Sequence, residues 1–596
     1  MKINSNLTLL ATVSWLFFSP QSHAQNLDII GLTDLLARQP SIDGSGLTVA
    51  QVEAPTSVTT DPVTGEIINE TYQPNPASSG QNPSKFSYYD ATNPTFNNPG
   101  SFNSSQNSGH ANNVANGYYD ANTGVATDVN QVLAFSANTF FNNYLIQGID
   151  INASIINQSF VFGQFSDPID LVYDNYSTQF STLFVNGLNN GSATAIPSPA
   201  TMYNGISVGR VDLNHSVGPT DGRSKPDIIA PGTATSFATP YVSGSAAVLM
   251  EAANLDHGGA GTASDASDLR TIKALILNGA VKDNDWSNTE TQPLDSRRGA
   301  GLLNVNNSHL QLEGGQHSPI ESGNVTIASN YPPTVLPANN LSSSIGWNFT
   351  TITNSPQGNT DSIDNYYFDI PPSSNSLVDI TASLVWLRQI NQSDINNLDL
   401  ILYNADSGEV VEQSISTVDN VEHIHIKNLV AGRYMLQVIK RTTDRVSNSE
   451  NYALAFNFST SDIDPLDAFR LIHFNSTTNS GNAANDADFD TDGLTNLTEY
   501  ALGTDPTSAA GNDGGAAHPQ VSIVTINDVD YLQLTVNRAE IIPGISYFID
   551  SSGEPGSGWT EATDILENTA TVLRIRDSEM MSTNNRRFMR FRVETN

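Results

Sequence analysis

The sequence predicts an α/β fold over its first half and all-β domains after it, and three observations carry that prediction. First, short apolar strands alternate with helical stretches up to Asn304. Leu47-Thr-Val-Ala-Gln-Val-Glu-Ala54 alternates after the turn Asp43-Gly-Ser-Gly46, and Ile155-Ile-Asn-Gln-Ser-Phe160 and Thr182-Leu-Phe-Val-Asn-Gly-Leu-Asn-Asn-Gly191 run from apolar into polar residues. Tyr241-Val-Ser-Gly-Ser-Ala-Ala-Val-Leu-Met250 reads as a buried helix. Second, from about Ser343 to Thr460 strands recur between Asn/Asp/Gly turns without a helical stretch: Tyr366–Ile370, Val378–Trp386, Leu398–Tyr403, Val421–Ile426, Gly432–Val438 and Tyr452–Phe456. Third, after the acidic stretch Asp488–Glu499, Tyr531–Val536, Ile545–Ile549, Thr571–Ile575 and Arg587–Val593 predict a small terminal β-domain.

Lys2, the apolar run Leu7–Phe18 and Ser22-His-Ala24 predict a secretory signal over residues 1–24, cleaved before Gln25. That run is too short for a membrane span, and no later stretch of about 20 apolar residues follows. The expectation is an exported, soluble protein: secreted, periplasmic or held at the cell surface. A short extension, residues 25–46, comes next, with Leu27–Arg38 forming one small helix. The chain of 596 residues has no cysteine, so stability in an oxidising compartment rests on packing or bound ions. Its net charge of −36, from 61 acidic and 25 basic residues, argues against nucleic acid as a partner. The polar segment Pro55–Asn107, rich in Asn, Pro, Ser and Thr, reads as a surface excursion.

Lys225-Pro-Asp-Ile-Ile-Ala-Pro-Gly-Thr-Ala-Thr-Ser-Phe-Ala-Thr-Pro240 places Ser236 on a Gly/Pro-rich turn at the start of a helix. Unpaired N–H groups at such a terminus can hold a developing oxyanion. The segment resembles the active-site serine region of subtilisin-like proteases, with Ala234 standing where that pattern has its first glycine. The resemblance implies an upstream histidine at a helix start and a carboxylate at a strand end. Ser108-Gly-His-Ala-Asn-Asn-Val-Ala-Asn-Gly-Tyr118 supplies His110 as the base, and the strand ending at Glu53 supplies the carboxylate, a glutamate where the family has aspartate.

The same resemblance assigns further residues. Asn189 takes the side-chain oxyanion position, with Leu188 in place of the family's glycine. Ser159, Phe160, Val161 and Gly163 line the cleft and pair with extended substrate as an added strand. Arg298-Gly-Ala-Gly-Leu-Leu-Asn304 resembles the segment that closes the protease domain, taken as residues 47–312. The implied fold is a mostly parallel sheet with helices on both faces. The implied activity is a serine endopeptidase acting on protein or peptide substrates, with no catalytic cofactor.

Residues 343–460 resemble the jelly-roll β-sandwich appended to many secreted subtilisin-like proteases, where it serves stability or substrate contact. His423 and His425 alternate on one of its strands and read as edge or face residues, not metal ligands. A linker helix and calcium loop fill residues 465–506. Asp488-Phe-Asp-Thr-Asp-Gly-Leu-Thr-Asn-Leu-Thr-Glu499 carries acidic residues at loop positions 1, 3 and 5, Gly at 6 and Glu at 12. Asp488, Asp490, Asp492, the Leu494 carbonyl, Asn496 and Glu499 are the expected ligands of one structural Ca²⁺. Residues 507–596 form the terminal β-domain, whose basic last strand suits a docking surface at a cell surface or matrix. A second functional class stays open: a non-catalytic exported binding protein on a protease-like scaffold, favoured by Glu53, Ala234 and the short N-terminal extension.

Overall fold

The computed structural model describes residues 20–596 apart from 97, 192–194, 219–220, 327–330, 334–338, 356–359, 371–375, 444–445, 463, 475, 510–517, 539–541, 543, 582–585 and 596. Residues 1–19, most of the expected signal segment, therefore lie outside the described residues. The chain divides into two compact units: the residues up to Pro371 with Val378–Ser459, and Pro372–Leu377 with Thr460–Asn596.

The first unit is built on a seven-stranded sheet in the spatial order Phe86–Tyr89, Gln131–Ser136, Thr48–Glu53, Ile155–Gln158, Leu183–Gly187, Ile206–Arg210 and Ile228–Ala230. Every neighbouring pair is parallel. Alternation along the strands splits their side chains between two cores, because successive residues of a strand face opposite sides. Val49, Ile155, Leu183 and Val185 join one cluster with the helices Gly109–Tyr118, Thr235–Asn254, Leu269–Gly279 and Val305–Glu313. Ala50, Val52, Ile156 and Phe184 face the other way, onto Tyr173 and Tyr176 of the helix Asp167–Phe180. The α/β expectation with helices on both faces is met.

Two sequence expectations are corrected. Pro55–Asn107 is more than a surface excursion: Phe86–Tyr89 is the edge strand of the main sheet, and Tyr72 and Tyr88 are buried in its core. A four-residue aromatic run inside Asn/Pro-rich sequence is too short to show periodicity. The N-terminal segment holds two helices, Pro20–Ile29 and Leu32–Arg38, broken at Gly31, whose φ of 74° is left-handed. A β-carbon at Gly31 would also sit 2.6 Å from Asn304 Oδ1. Ile30, Leu32 and Leu35 are buried in the main core.

Within the same unit, a five-stranded and a four-stranded antiparallel sheet follow between Glu321 and Ser459. Tyr366, Leu384, Leu400, Leu436 and Leu454, drawn from both sheets, share one apolar cluster. Trp347, Val385 and Ala453 from this β-region pack instead into the main core of the α/β part. Arg388, fully buried, reaches Asp174 and Asp167 of the helix Asp167–Phe180, each at 2.8 Å. The second unit holds the helices Pro465–Phe474 and Asn496–Leu502, then antiparallel strands from Gln520 to Thr595.

Candidate active site

The site lies at the C-terminal ends of the central strands, where open parallel sheets leave a crevice. Glu53 is the last residue of Thr48–Glu53, and its side chain is almost wholly buried. His110 occupies the first turn of Gly109–Tyr118, capped by the Ser108 hydroxyl, which accepts from the Ala111 N–H at 3.3 Å. The two meet: His110 Nδ1 lies 2.7 Å from Glu53 Oε2. The extra methylene of glutamate is thus accommodated. Burial of the imidazole favours its neutral form, but the Glu53 charge and hydrogen bond more than offset this and hold His110 above the usual histidine range.

Ser236 is the second residue of Thr235–Asn254 and half-buried. The turn before it is ordinary: Ala234 has φ −144° and ψ 157°, extended backbone that alanine adopts without strain. In the first turn, the Thr235 N–H donates to Asn190 Oδ1 at 3.0 Å. The Phe237 and Ala238 amides return to the Ala234 carbonyl at 2.9 and 3.0 Å. The Ser236 N–H has no acceptor among the described residues. The Ser236 hydroxyl donates to the Ser159 carbonyl at 3.2 Å rather than to His110.

Pro240 explains how Ser159 is held. Proline has no N–H, so the carbonyl four residues earlier loses its helical donor. That carbonyl belongs to Ser236, and the Ser159 hydroxyl donates to it at 2.8 Å. Asn157 Nδ2 donates to the Ser159 oxygen at 3.1 Å, and the Ser243 hydroxyl donates to Asn157 Oδ1 at 2.9 Å, linking the strand end to the serine helix. Gly187 is needed for the same approach, since a β-carbon there would fall 2.7 Å from Thr239 Oγ1.

Asn189 is partly exposed, and its side chain makes no hydrogen bond among the described residues, while its carbonyl accepts the Ser216 amide at 2.9 Å. Leu188 is buried with Ile196 and Ala200, and Val161 packs on this cluster. The backbones of Phe160 and Val161 are without hydrogen bonds among the described residues, whereas the Phe162 N–H already donates to the Ser198 carbonyl at 2.7 Å and Gln164 O accepts from Ser198. Gly163 is exposed. The Glu53–His110 pair and the Ser159–Ser236 pair share one region, because the His110 ring centroid lies 5.6 Å from that of Phe237, the residue after Ser236, and Asn189 lies past the neighbouring strand end.

Sequence reasoning missed Gln51 and Tyr119, both fully buried, which connect to Glu53. A polar residue two positions before a buried strand-end carboxylate, on the same face, was the available signal. It also missed a cluster of His257, His309 and Glu313. There Arg38 Nη2 lies 3.2 Å from His309 Nδ1, and His309 Nε2 lies 3.0 Å from His257 Nδ1. A guanidinium only donates, so His309 accepts at Nδ1 and donates from Nε2, which satisfies the cluster without a metal.

In the second unit, Asp488, Asp490 and Asp492 offer carboxylate oxygens all within 4.8 Å of one another. Gly493 turns the loop with φ 98°. Asn496, almost wholly buried, donates its amide to the Asn482 and Ala484 carbonyls at 2.8 and 2.9 Å, which leaves Oδ1 buried without a hydrogen-bond partner. Glu499 is fully buried nearby in sequence, and His518 Nε2 lies 3.4 Å from Asp492 Oδ2. A donor set of carboxylates and an amide oxygen suits a hard divalent cation.

No curated protein matches the chain. Among solved structures, it is similar to a cold-adapted subtilisin-like serine proteinase (19% identity, 44% of this chain and 90% of that chain covered, TM-score 0.29). It is also similar to the prenylagaramide maturation protease PagA (20% identity, 48% and 99% covered, TM-score 0.34). A third is a serine protease of Aeromonas sobria (12% identity, 70% and 89% covered, TM-score 0.29). The model of the subtilase family, Peptidase_S8, matches residues 44–301, so over that span the chain carries a subtilase-family domain.

Proposed function

We propose that the protein is an exported serine endopeptidase that hydrolyses peptide bonds through an acyl-enzyme. Ser236 attacks the carbonyl, His110 takes its proton and later delivers it to the leaving amine, and Glu53 holds the imidazole in the required tautomer. The open Ser236 N–H and the unengaged Asn189 side chain receive the oxyanion. The backbone of Phe160 and Val161 pairs with extended substrate, beside Ser159 and Gly163. The observation that carries this reading is the 2.7 Å contact between His110 Nδ1 and Glu53, which supports the glutamate as a substitute for aspartate. The hydroxyl of Ser236 has to rotate from the Ser159 carbonyl toward His110. Catalytic hydrogen bonds of this kind often tighten only once substrate is bound.

That same hydroxyl orientation favours the second reading, a protease-like scaffold that binds without cleaving. Labelling of the purified protein with a fluorophosphonate separates the two. Labelling lost in Ser236→Ala and reduced in Glu53→Ala supports the peptidase; a folded protein that never labels supports the scaffold.

One structural Ca²⁺ is proposed for the loop of the second unit, held by Asp488, Asp490, Asp492, the Leu494 carbonyl, Asn496 and Glu499. The buried, unpartnered Asn496 Oδ1 supports it. A melting curve with chelator is expected to lose stability relative to one with Ca²⁺; an identical transition would remove the loop as a stabiliser. Export, and docking through the C-terminal β-domains, belong to the same proposal and are checked by locating the mature protein in culture.

A further inference from the structure

Glu53 and Gln51 lie two residues apart on one strand, so both side chains project to the face covered by the histidine helix. Glu53 Oε2 meets His110, and Glu53 Oε1 accepts from Gln51 Nε2 at 2.7 Å. The same amide nitrogen donates to the carbonyl of Ala111, the residue after His110, at 2.9 Å. Gln51 Oε1 accepts from the Tyr119 hydroxyl. Tyr119 is the residue that caps the far end of the histidine helix.

The amide orientation is dictated by its surroundings. A carboxylate and a carbonyl only accept, so the NH₂ must face Glu53 and Ala111, and Oε1 must face the one donor, Tyr119. Burial pushes the Tyr119 phenol well above its usual range, so it stays protonated and donates. Both amide hydrogens and the amide oxygen of Gln51 are thereby engaged, and Gln51 and Tyr119 are each fully buried.

We propose that Gln51, locked by Tyr119, is the positioning residue that makes a glutamate serviceable at position 53. A glutamate has one more rotatable bond than an aspartate, and a free carboxylate on that stem would sample orientations that do not meet the imidazole. Gln51 removes this freedom by pinning Oε1, and it ties the pinned carboxylate to the start and the end of the helix that carries His110. Gln51 touches no reacting atom and acts through Glu53. This inference rests on the proposed assignment of Ser236, His110 and Glu53.

The test compares Gln51→Leu, Tyr119→Phe, Glu53→Ala and the double variant Gln51→Leu/Glu53→Ala in the full-length mature protein, with two readouts. With a peptide substrate, Gln51→Leu is expected to lower kcat about tenfold, as expected for a lost hydrogen bond to a charged group, with KM unchanged. Tyr119→Phe lowers it less, because the amide keeps its donors. In the Glu53→Ala background, Gln51→Leu changes nothing further. The second readout is the titration of His110 by NMR, which needs no turnover: its pKa is expected to fall in Gln51→Leu and in Glu53→Ala, and to be the same in Glu53→Ala and the double variant. Equal losses of kcat in both backgrounds, or a His110 titration that Gln51→Leu leaves unmoved in a folded protein, would overturn the proposal. A wild-type protein without peptidase activity would overturn the functional reading alone, and the titration would still decide the role of Gln51.

Discussion

At the scale of single residues, the site turns on side-chain length and charge at Glu53. Replacing it by the shorter aspartate restores the residue type of the family yet is expected to reduce kcat. The carboxylate would retreat by about 1.5 Å, one carbon–carbon bond, from both His110 and Gln51. Kinetics of Glu53→Asp against wild type check this, and an unchanged kcat would show that the strand end adapts. His110 gives a pH prediction with a definite sign. Its pKa is raised by Glu53 against the effect of burial, and the proposed base must be neutral. The acid limb of kcat/KM therefore lies above pH 6.5, the ordinary histidine value, and moves down in Glu53→Ala. The linked stability has the opposite trend. A histidine that binds its proton more tightly when folded contributes fully below the unfolded value of about 6.5, and that contribution is lost as pH rises through the folded value.

At the scale of elements, the serine and histidine helices are brought together by glycines. Gly244 is buried in Thr235–Asn254, where a β-carbon would sit 2.5 Å from Val125 Cβ and 3.2 Å from the Tyr118 carbonyl. Two effects compete in Gly244→Ala. Alanine gains about 1 kcal/mol of helix propensity, while overpacking of a tight contact costs about 1–3 kcal/mol. Because the clash is with a β-carbon and a backbone carbonyl, neither of which can swing aside, the cost wins. The expected result is a lower Tm and a weakened catalytic step, as Tyr118 lies in the helix that carries His110. Gly117 repeats the device from the other side, with a β-carbon position 3.1 Å from Pro240.

At the scale of the whole molecule, the α/β part and the β-region after it behave as one unit. Arg388 carries its charge into full burial against Asp174 and Asp167 and lies 4.8 Å from the Tyr203 ring centroid. Its backbone N–H also donates to Asn204 Oδ1 at 2.7 Å. Removing one partner of a buried ion pair leaves the other charge uncompensated, at about 3–5 kcal/mol. Arg388→Met is therefore expected to lower the melting temperature of the α/β part itself, although the substitution lies outside the matched subtilase span. An α/β part that melts unchanged in this variant would show the two parts to be independent.

The sequence by itself determined the alternation of strands and helices, the ends at which Glu53, His110, Ser159 and Ser236 sit, and the acidic calcium-loop pattern. Strand period, glycine and proline turns and helix starts are local properties, written in neighbouring residues. Only the tertiary structure decided whether the longer carboxylate of Glu53 reaches His110, because that depends on the separation of a strand end and a helix 57 residues apart in sequence. The same holds for the edge strand Phe86–Tyr89, recognisable only once a neighbouring strand pairs with it, and for Gln51. As a polar residue in a strand it could face solvent; the packing of the histidine helix over it buries its amide and sets its partners.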